Sequence, residues 1–556
     1  MKQLMNVMVK MRDGVSLSTD IRMPEAGGPF PVVLVRNPYN NNITVTPENE
    51  ALLKLYLESG YAYVTQDVRG KYDSEGTFRP FDESEDGFDS VAWLAKQTWC
   101  NGRVGMSGAS YCGFTQLEAA KMAPPALCAI TPSVMAHDAF KGIMYKNGSF
   151  SFLIMAWALG NTGRTDKPQP LIDWMKIYNT LPLEKMDAAA GFETPFLQEW
   201  LAHPRYDAFW KKISTEAFYK NFDTPAYIMG GWYDYAIEGT VKNYCGLKKA
   251  MKNKKVKLLI GPWGHGLGGG PVLGQLDFGP EAVFNIEKEK KRWLDRFVKG
   301  EKNGIEKEPP VRIFVMGTNK WRNEEAWPLK RTKYVSYYIS STRGANSLEG
   351  DGVLEVKLKS AKEKDEFIYN PADPVTTIGG ATLLPDRPSG PYDQTPIERR
   401  PDVLVYSTGV LKAPVEVTGF VKAELFISSS APDTDFITRL CDVHPDGKSI
   451  VLSEGLIRAR FRKGLDKEVM LKAGQVYKLE LEMDPTSNVF LAGHKIRLEI
   501  TSSSFPAYSR NTNTGKNIAK ETKFKTAKQT VYHSNKYRSK LILPVIPFKG
   551  DSDFKY

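Results

Sequence analysis

Short apolar runs alternate with amphipathic stretches through the first third of the chain. Pro31–Arg36 (PVVLVR) and Tyr61–Gln66 (YAYVTQ) read as buried strands, and Val104–Met106 and Leu127–Ile130 as two more. Between them, Glu83–Gln97 carries Phe88, Val91, Ala92, Leu94 and Ala95 as one apolar stripe, which predicts a helix. A second helix is predicted from Ser110 to Met122. Strands alternating with helices predict a parallel sheet with helical cover. From about His137 to Thr215 the strand signals fade into aromatic and Met-containing helical stretches at Phe150–Leu159, Leu171–Tyr178 and Phe196–Trp200. The alternation then resumes, with strands at Pro225–Gly230, Val256–Ile260 and Val311–Met316, the last of the series, and helices at Glu238–Lys252 and Glu281–Val298.

After about Thr332 the pattern changes again. Short alternating runs at Val353–Leu358, Val403–Tyr406, Val415–Ser428, Phe436–Val443, Gln475–Leu481 and Lys495–Thr501 are separated by turn clusters such as His444–Gly447 (HPDG) and Asn511–Gly515 (NTNTG). This predicts an all-β sandwich or jelly roll. The predicted layout is an α/β core in two parts (residues 1–136 and 216–331), an inserted helical cap (137–215) and a C-terminal jelly roll (332–556).

Composition narrows the classes. The 556 residues are 42% hydrophobic and 25% charged, which excludes a disordered chain. No run of about 18 uncharged apolar residues is present, so no membrane-spanning helix is expected. The first residues, Met1–Asp13, lack a sustained apolar core and a small-residue cleavage site, so no secretory signal is expected. The net charge of +11 is spread out; Lys248–Lys257 and Lys516–Lys540 are lysine-rich without interleaved aromatics, and no nucleic-acid partner is expected. The five cysteines (Cys100, Cys112, Cys128, Cys245, Cys441) form no CxxC pair, which points to a reducing, cytoplasmic compartment and to no metal.

The sharpest local motif is Val104-Gly105-Met106-Ser107-Gly108-Ala109-Ser110-Tyr111-Cys112-Gly113. A strand runs into a serine among small residues and a helix follows, as in a nucleophile elbow, where the nucleophile sits in a tight turn and the helix start offers N–H groups to an oxyanion. Ser107 competes, but it would place the elbow inside the strand, so Ser110 is preferred; the alternative for both is a plain strand-to-helix turn. In such folds the acid and the base follow in order, each after a late strand. Asp234 ends Gly231-Trp232-Tyr233-Asp234 after one strand, and His265 ends Gly261-Pro262-Trp263-Gly264-His265 after the next. Of six histidines, only His265 meets that condition. Glu238 is a rival acid, or a surface charge on the following helix. The predicted chemistry is attack of Ser110 Oγ on an acyl carbonyl, with His265 as base and Asp234 orienting it. The Tyr111 N–H is the first expected oxyanion donor. The loop Arg36-Asn37-Pro38-Tyr39-Asn40 has no glycine run to offer the second, and Tyr39 is either that donor, through its hydroxyl, or a packed rim aromatic.

Taken together, Asn37-Pro38-Tyr39, Gln66-Asp67-Val68-Arg69-Gly70, Ser74-Glu75-Gly76, the Ser110 segment and the Asp234 and His265 motifs closely resemble the CocE/NonD hydrolases. That group includes α-amino acid ester hydrolases, glutaryl-cephalosporin acylases and X-Pro dipeptidyl-peptidases. The likeness continues through Val403–Thr408, Ala431–Phe436 and Ser502–Pro506. It implies the three-part architecture, a triad of Ser110, Asp234 and His265, and an oxyanion hole of the Tyr39 hydroxyl and Tyr111 N–H. It implies an esterase or acylase acting on small esters or amides without a cofactor, and leaves dimer formation through the jelly roll open. Asp67 and Arg69 are expected to organise the core as a buried pair. The stretch Asp234-Tyr235-Ala236-Ile237-Glu238 lacks the adjacent acidic pair with which the α-amino acid ester hydrolases hold a substrate ammonium. Trp157 is a candidate wall of the acyl pocket, or a core aromatic of the cap. Cys112 is expected to be a packed small residue. The other readings are an X-Pro dipeptidyl-peptidase, or a binding protein with a vestigial core.

Overall fold

The computed structural model describes residues 1–42, 46–167, 172–358 and 363–547. The amino-terminal half is built on a ten-stranded sheet. Its strands are β1 (Lys2–Lys10), β2 (Ser16–Met23), β3 (Phe30–Asn37), β4 (Ala62–Asp67), β5 (Cys100–Ala109), β6 (Leu127–Ser133), β7 (Ala226–Gly231), β8 (Val256–Gly261), β9 (Val311–Val315) and β10 (Lys320–Glu324). Their order across the sheet is β1-β2-β4-β3-β5-β6-β7-β8-β9-β10. From β4 to β9 every pair is parallel; β1, β2 and β10 are antiparallel additions at the two edges. The central strands are buried on both faces, so they read as mainly apolar runs, interrupted by the buried Thr65, Gln66 and Asp67 of β4 and Lys257 of β8.

The predicted strands are all present. Three edge strands went unread, and Val311–Val315 is not the last of the series because β10 follows it. Strand β1 (KQLMNVMVK) leaves Leu4, Met5 and Met8 exposed and a bulge between Leu4 and Val7 breaks its alternation, while β10 is the polar KWRNE, so neither gives a clean strand pattern. The helix expected over Glu281–Val298 begins at Ile286, because Asn285 caps it by accepting from the Lys288 N–H.

Helices cover both faces. α1 (Tyr111–Lys121) and the helices Ser84–Ala95 and Ile237–Ala250 pack into the main core; Pro47–Leu57 and Ile286–Leu294 cover the other face around Tyr56, Tyr227 and Trp293. Between β6 and β7 lies an insertion of short helices, Met155–Gly160, Trp174–Asn179, Met186–Ala189, Pro195–Ala202 and Ala208–Lys212. Phe150 stands in a two-residue strand rather than a helix, and Leu171 lies outside the described residues.

Residues 333–546 form an eleven-stranded, mostly antiparallel β domain. Its long strand Val415–Ser429 pairs with three partners, Tyr477–Phe490, Ala527–Tyr532 and Lys540–Ile546, by way of bulges near Lys422. The parts share buried charge. Lys146 of the insertion lies 3.0 Å from Glu238 of the core and also binds Asp484 of the β domain. Glu238 is therefore half-buried and bound to Lys146 and Lys242, not the surface charge that its helix position suggested.

Candidate active site

Strand β5 carries the chain into the site, and Ser110 stands between it and α1 with φ 58° and ψ −127°. A non-glycine residue at that φ is strained by about 1–3 kcal/mol, so the surroundings must enforce it. They do so through close packing. Gly108, at φ +136°, stands where a Cβ would meet Cys112 Cβ at 2.4 Å. The Ser110 N–H is held by the Ser133 carbonyl at 2.9 Å. The N–H groups of Tyr111 and Cys112 open α1 and have no carbonyl partner within the helix, so they are offered to an anion beside Ser110. Ser107 is buried inside β5 and accepts a bond from Thr131 Oγ1 at 3.1 Å, as a structural serine would. Burial pushes the Cys112 thiol up to about 12, which leaves it protonated and unreactive near neutral pH.

Asp234 and His265 stand at the C-terminal ends of adjacent strands β7 and β8. The loops after them stay laced together: Trp232 N–H donates to Gly261 O and Tyr233 N–H to Trp263 O, both at 2.9 Å. Gly231 permits this approach, because a Cβ there would lie 2.1 Å from Trp263 O. The tryptophans of the two motifs anchor the loops, Trp232 Nε1 donating to Phe314 O and Trp263 Nε1 to Ala282 O. The result is His265 Nδ1 2.8 Å from Asp234 Oδ1, with Asp234 fully buried and His265 partly open. Among the described residues, no hydrogen bond joins Ser110 Oγ to His265. Serine–base hydrogen bonds often form only once substrate binds.

Tyr39 is set by the motif around it: Asn37 Oδ1 accepts the Tyr39 N–H at 2.7 Å in a tight local turn. The Tyr39 hydroxyl accepts the Trp157 indole N–H at 2.9 Å and has Ser110 as a second hydrogen-bonding neighbour. Burial drives its ionisation well above the usual phenol range, with Cys112 adding to the shift, so it remains an O–H donor. Trp157 stacks on the Tyr111 ring at 5.4 Å and on Phe81 at 5.9 Å. The Tyr111 hydroxyl in turn donates to Glu83 at 2.8 Å, which ties the residue after Ser110 to the core.

Ser110, Tyr111 and Trp157 line one small cavity of about 30 Å³, closed by Phe81, Met135, Ile143, Ile154, Tyr235 and Leu383. None of these side chains is acidic. Leu383 comes from the β domain and Ile143 from the insertion, so all three parts of the chain build this pocket. Leu383 had no sequence signal. On the other side, a more open cavity of about 570 Å³ runs from Ala109 and His265 to Phe284 and Lys290. A third, charged cavity of about 560 Å³, between Arg69 and Lys212, contains none of the predicted site residues.

Asp67 and Arg69 do not pair. Arg69 binds Asp13 at 2.7 Å and Asp86 at 2.6 Å, while Asp67 points inward, where burial pushes its carboxyl up to about 7 against the pull of the Asn41 and Asp73 backbone N–H groups. The strand ends at Asp67 and the chain turns at once, the Lys71 N–H bonding Val68 O, so Arg69 leaves in a different direction from Asp67.

A strained serine between a parallel strand and a helix, with a His–Asp pair after later strands of the same sheet, is the arrangement expected of a serine hydrolase of the α/β type. The comparisons narrow this. Residues 13–267 match the family model "X-Pro dipeptidyl-peptidase (S15 family)" and residues 303–542 match "X-Pro dipeptidyl-peptidase C-terminal non-catalytic domain". The chain is 38% identical to the cocaine esterase of a Rhodococcus species, over 97% of this chain and 98% of that one. Among solved structures it resembles an aminopeptidase from a marine-sediment Thaumarchaeota archaeon (28% identity, TM-score 0.86) and an α-amino acid ester hydrolase (26%, TM-score 0.83), each match covering 98% of this chain and 96% of the other. The chain belongs to the CocE/NonD family and is a carboxylic ester hydrolase of that type. Among the described residues, no helix is long and apolar enough to cross a membrane.

Proposed function

We propose that the chain hydrolyses small carboxylic esters through an acyl-enzyme on Ser110. In this reading, rotation of the Ser110 side chain away from Tyr39 brings Oγ to His265. His265 takes the proton as Oγ attacks, and the fully buried Asp234 holds the ring and stabilises its cation. The carbonyl oxygen becomes an anion between the Tyr39 hydroxyl and the Tyr111 N–H. His265 then protonates the leaving alcohol, which departs through the open cavity on its side, and afterwards activates water to release the acid.

The observation that carries the substrate class is the pocket beside Ser110. It is small and lined by apolar and aromatic side chains with no carboxylate. A substrate with a free ammonium on its acyl part would lose its hydration there without gaining a partner, at a cost of several kcal/mol. This favours an uncharged, compact acyl group over an α-amino acyl or dipeptidyl one. All five cysteines are unpaired, which supports a reducing, cytoplasmic setting.

The test is hydrolysis of short-chain p-nitrophenyl esters by the wild type and Ser110→Ala between pH 5 and 9, beside an X-Pro amide. The expected result is ester turnover that drops by at least roughly three orders of magnitude in the variant, with little amide cleavage. Equal rates in the two proteins would overturn the Ser110 assignment. Faster release of amine from the X-Pro substrate than of alcohol from the ester would overturn the substrate class.

A further inference from the structure

Away from Ser110, two β-turns of the β domain bring together three side chains that are far apart in the sequence. Strands Asp435–Val443 and Lys495–Thr501 are antiparallel neighbours, with Asp442 opposite Ile496 and Val443 opposite Lys495. The next step of that register sets His444 opposite His494, and Asp442 falls on the same side as His444, two residues earlier. Both turns are pinned: His444 N–H donates to Lys448 O, and His494 O accepts from the Leu411 N–H.

The side chains converge. His494 Nδ1 lies 2.8 Å from Asp442 Oδ1, and His444 Nε2 lies 3.9 Å from Asp442 Oδ2. The imidazole centroids are 4.6 Å apart, and one ligand atom from each of the three residues falls within a 4.8 Å cluster. Asn488 donates to Asp442 Oδ2 at 3.3 Å and orients the carboxylate. Asp442 and His494 are buried, whereas His444 is half-open to solvent.

We propose that Asp442, His444 and His494 bind one divalent transition-metal ion. Two imidazole nitrogens and one carboxylate oxygen are the donor set of Zn²⁺, Ni²⁺, Co²⁺ or Cu²⁺, whereas Ca²⁺ and Mg²⁺ favour oxygen alone. Donor atoms around a tetrahedral ion at about 2.1 Å stand roughly 3.4 Å from one another, whereas one donor atom from each of the three residues lies within 4.8 Å of the others, so the site must draw in slightly. Small rotations of the rings complete the set, and the solvent side of His444 leaves the fourth position to water. The ion replaces the proton held between His494 Nδ1 and Asp442, and that proton passes to solvent. Asn488 supplies the outer contact that such carboxylate ligands carry. The other acidic cluster of this domain, Glu398, Cys441 and Glu499, differs in kind: Arg497 and Arg439 already occupy it. The ion would clamp the 444–447 and 491–494 turns, and the reaction at Ser110 does not involve it.

The test is calorimetric titration of the full-length, chelator-stripped protein with Zn²⁺, and with Co²⁺ read by its visible absorption. One equivalent is expected to bind. His444→Ala and His494→Gln should each weaken binding by about 100-fold or more, beyond the 10–100-fold typical of outer-sphere changes. His203→Ala, which removes the exposed His203–Asp207 pair, should leave binding intact. Zn²⁺ should raise the melting temperature of the wild type but not of the two ligand variants. Ester hydrolysis by those variants, expected at the wild-type rate, shows that they are folded. Absence of stoichiometric binding to the wild type, binding unchanged in both ligand variants, or binding lost in His203→Ala would each overturn the assignment.

Discussion

Replacing Tyr39 with phenylalanine removes one oxygen and keeps the ring. The hydroxyl accepts the Trp157 indole N–H at 2.9 Å, which occupies one lone pair and leaves its own proton free to point towards Ser110. In the desolvated pocket that O–H is one of two expected donors to the oxyanion, beside the Tyr111 N–H. Loss of one such donor lowers kcat by about 10²–10³, or about 2.7–4 kcal/mol of transition-state stabilisation. The effect on folding is smaller. Trp157 loses a partner, worth about 1 kcal/mol, and Tyr39 is 37% exposed, so the fold tolerates the change. The assay is steady-state hydrolysis of p-nitrophenyl acetate, with active serine counted by phosphonate titration. The expected outcome for Tyr39→Phe is a full titre, KM within about threefold and kcat down by about two to three orders of magnitude. Trp157→Phe keeps the ring wall and removes only the N–H that aims Tyr39. It should cost about three- to tenfold by itself and nothing more in the Tyr39→Phe background, because it acts through that hydroxyl. A kcat for Tyr39→Phe within threefold of wild type, at full titre, would refute the oxyanion assignment.

Three other changes probe different links. Gly108→Ala places a methyl 2.4 Å from Cys112 Cβ at φ +136°, so urea unfolding should show a loss of about 2 kcal/mol or more, with activity falling further as the elbow shifts. Leu383→Ala enlarges the acyl pocket from the β-domain side, and kcat/KM for the hexanoate ester relative to the acetate should rise by about tenfold. Glu398 is buried beside Glu499, and burial, then that second carboxylate, push its carboxyl up to about 8 from an ordinary 4.5. Its folded-state pKa exceeds the unfolded one, so its contribution is complete below pH 4.5 and is lost as pH rises to 8, at up to about 1.4 kcal/mol per pH unit. Glu398→Gln should remove that slope. The check is the difference in urea midpoint between wild type and variant at pH 5 and pH 8.5, since Asp67 and Glu83, both raised to about 7, titrate in both proteins.

How legible each part was depends on how local its cause is. The core strands announce themselves because strands buried on both faces are mainly apolar, whereas β1, with a bulge between Leu4 and Val7, and the polar β10 show no clean alternation. Ser110, Asp234 and His265 could be nominated from the sequence because each sits just after a strand, and position at a strand end is a one-dimensional property. Tyr39 could not be decided from its own neighbourhood. Its hydroxyl is aimed by Trp157, 118 residues away, a contact that nothing in the sequence announced, and only resemblance nominated it as an oxyanion donor. Leu383 and the His444–His494 pair are harder still, since each depends on contacts between segments that no periodicity connects. The expected Asp67–Arg69 pair failed because β4 ends at Asp67 and the chain turns there, so that Arg69 meets Asp13 and Asp86 instead.

The pocket is a joint product of three parts of the chain, and this bears on how activity and stability are coupled. The core supplies Ser110 and Tyr111, the insertion supplies Ile143, Ile154 and Trp157, and the β domain supplies Leu383. The same three parts meet again at Lys146, Glu238 and Asp484, where a buried lysine is shared by two carboxylates. Burial alone would disfavour the Lys146 cation, yet the two acids hold its pKa well above the usual value. Removing either acid leaves Lys146 with a single carboxylate and loosens the contact that positions the insertion. Tyr233 adds a second tie, its hydroxyl donating to Val451 O of the β domain one residue before Asp234. A β domain that only covered the core would need neither connection. Its contacts instead run to the residue beside the acid and to the wall of the acyl pocket, so the domain called non-catalytic in the family model is part of what holds the candidate site in shape.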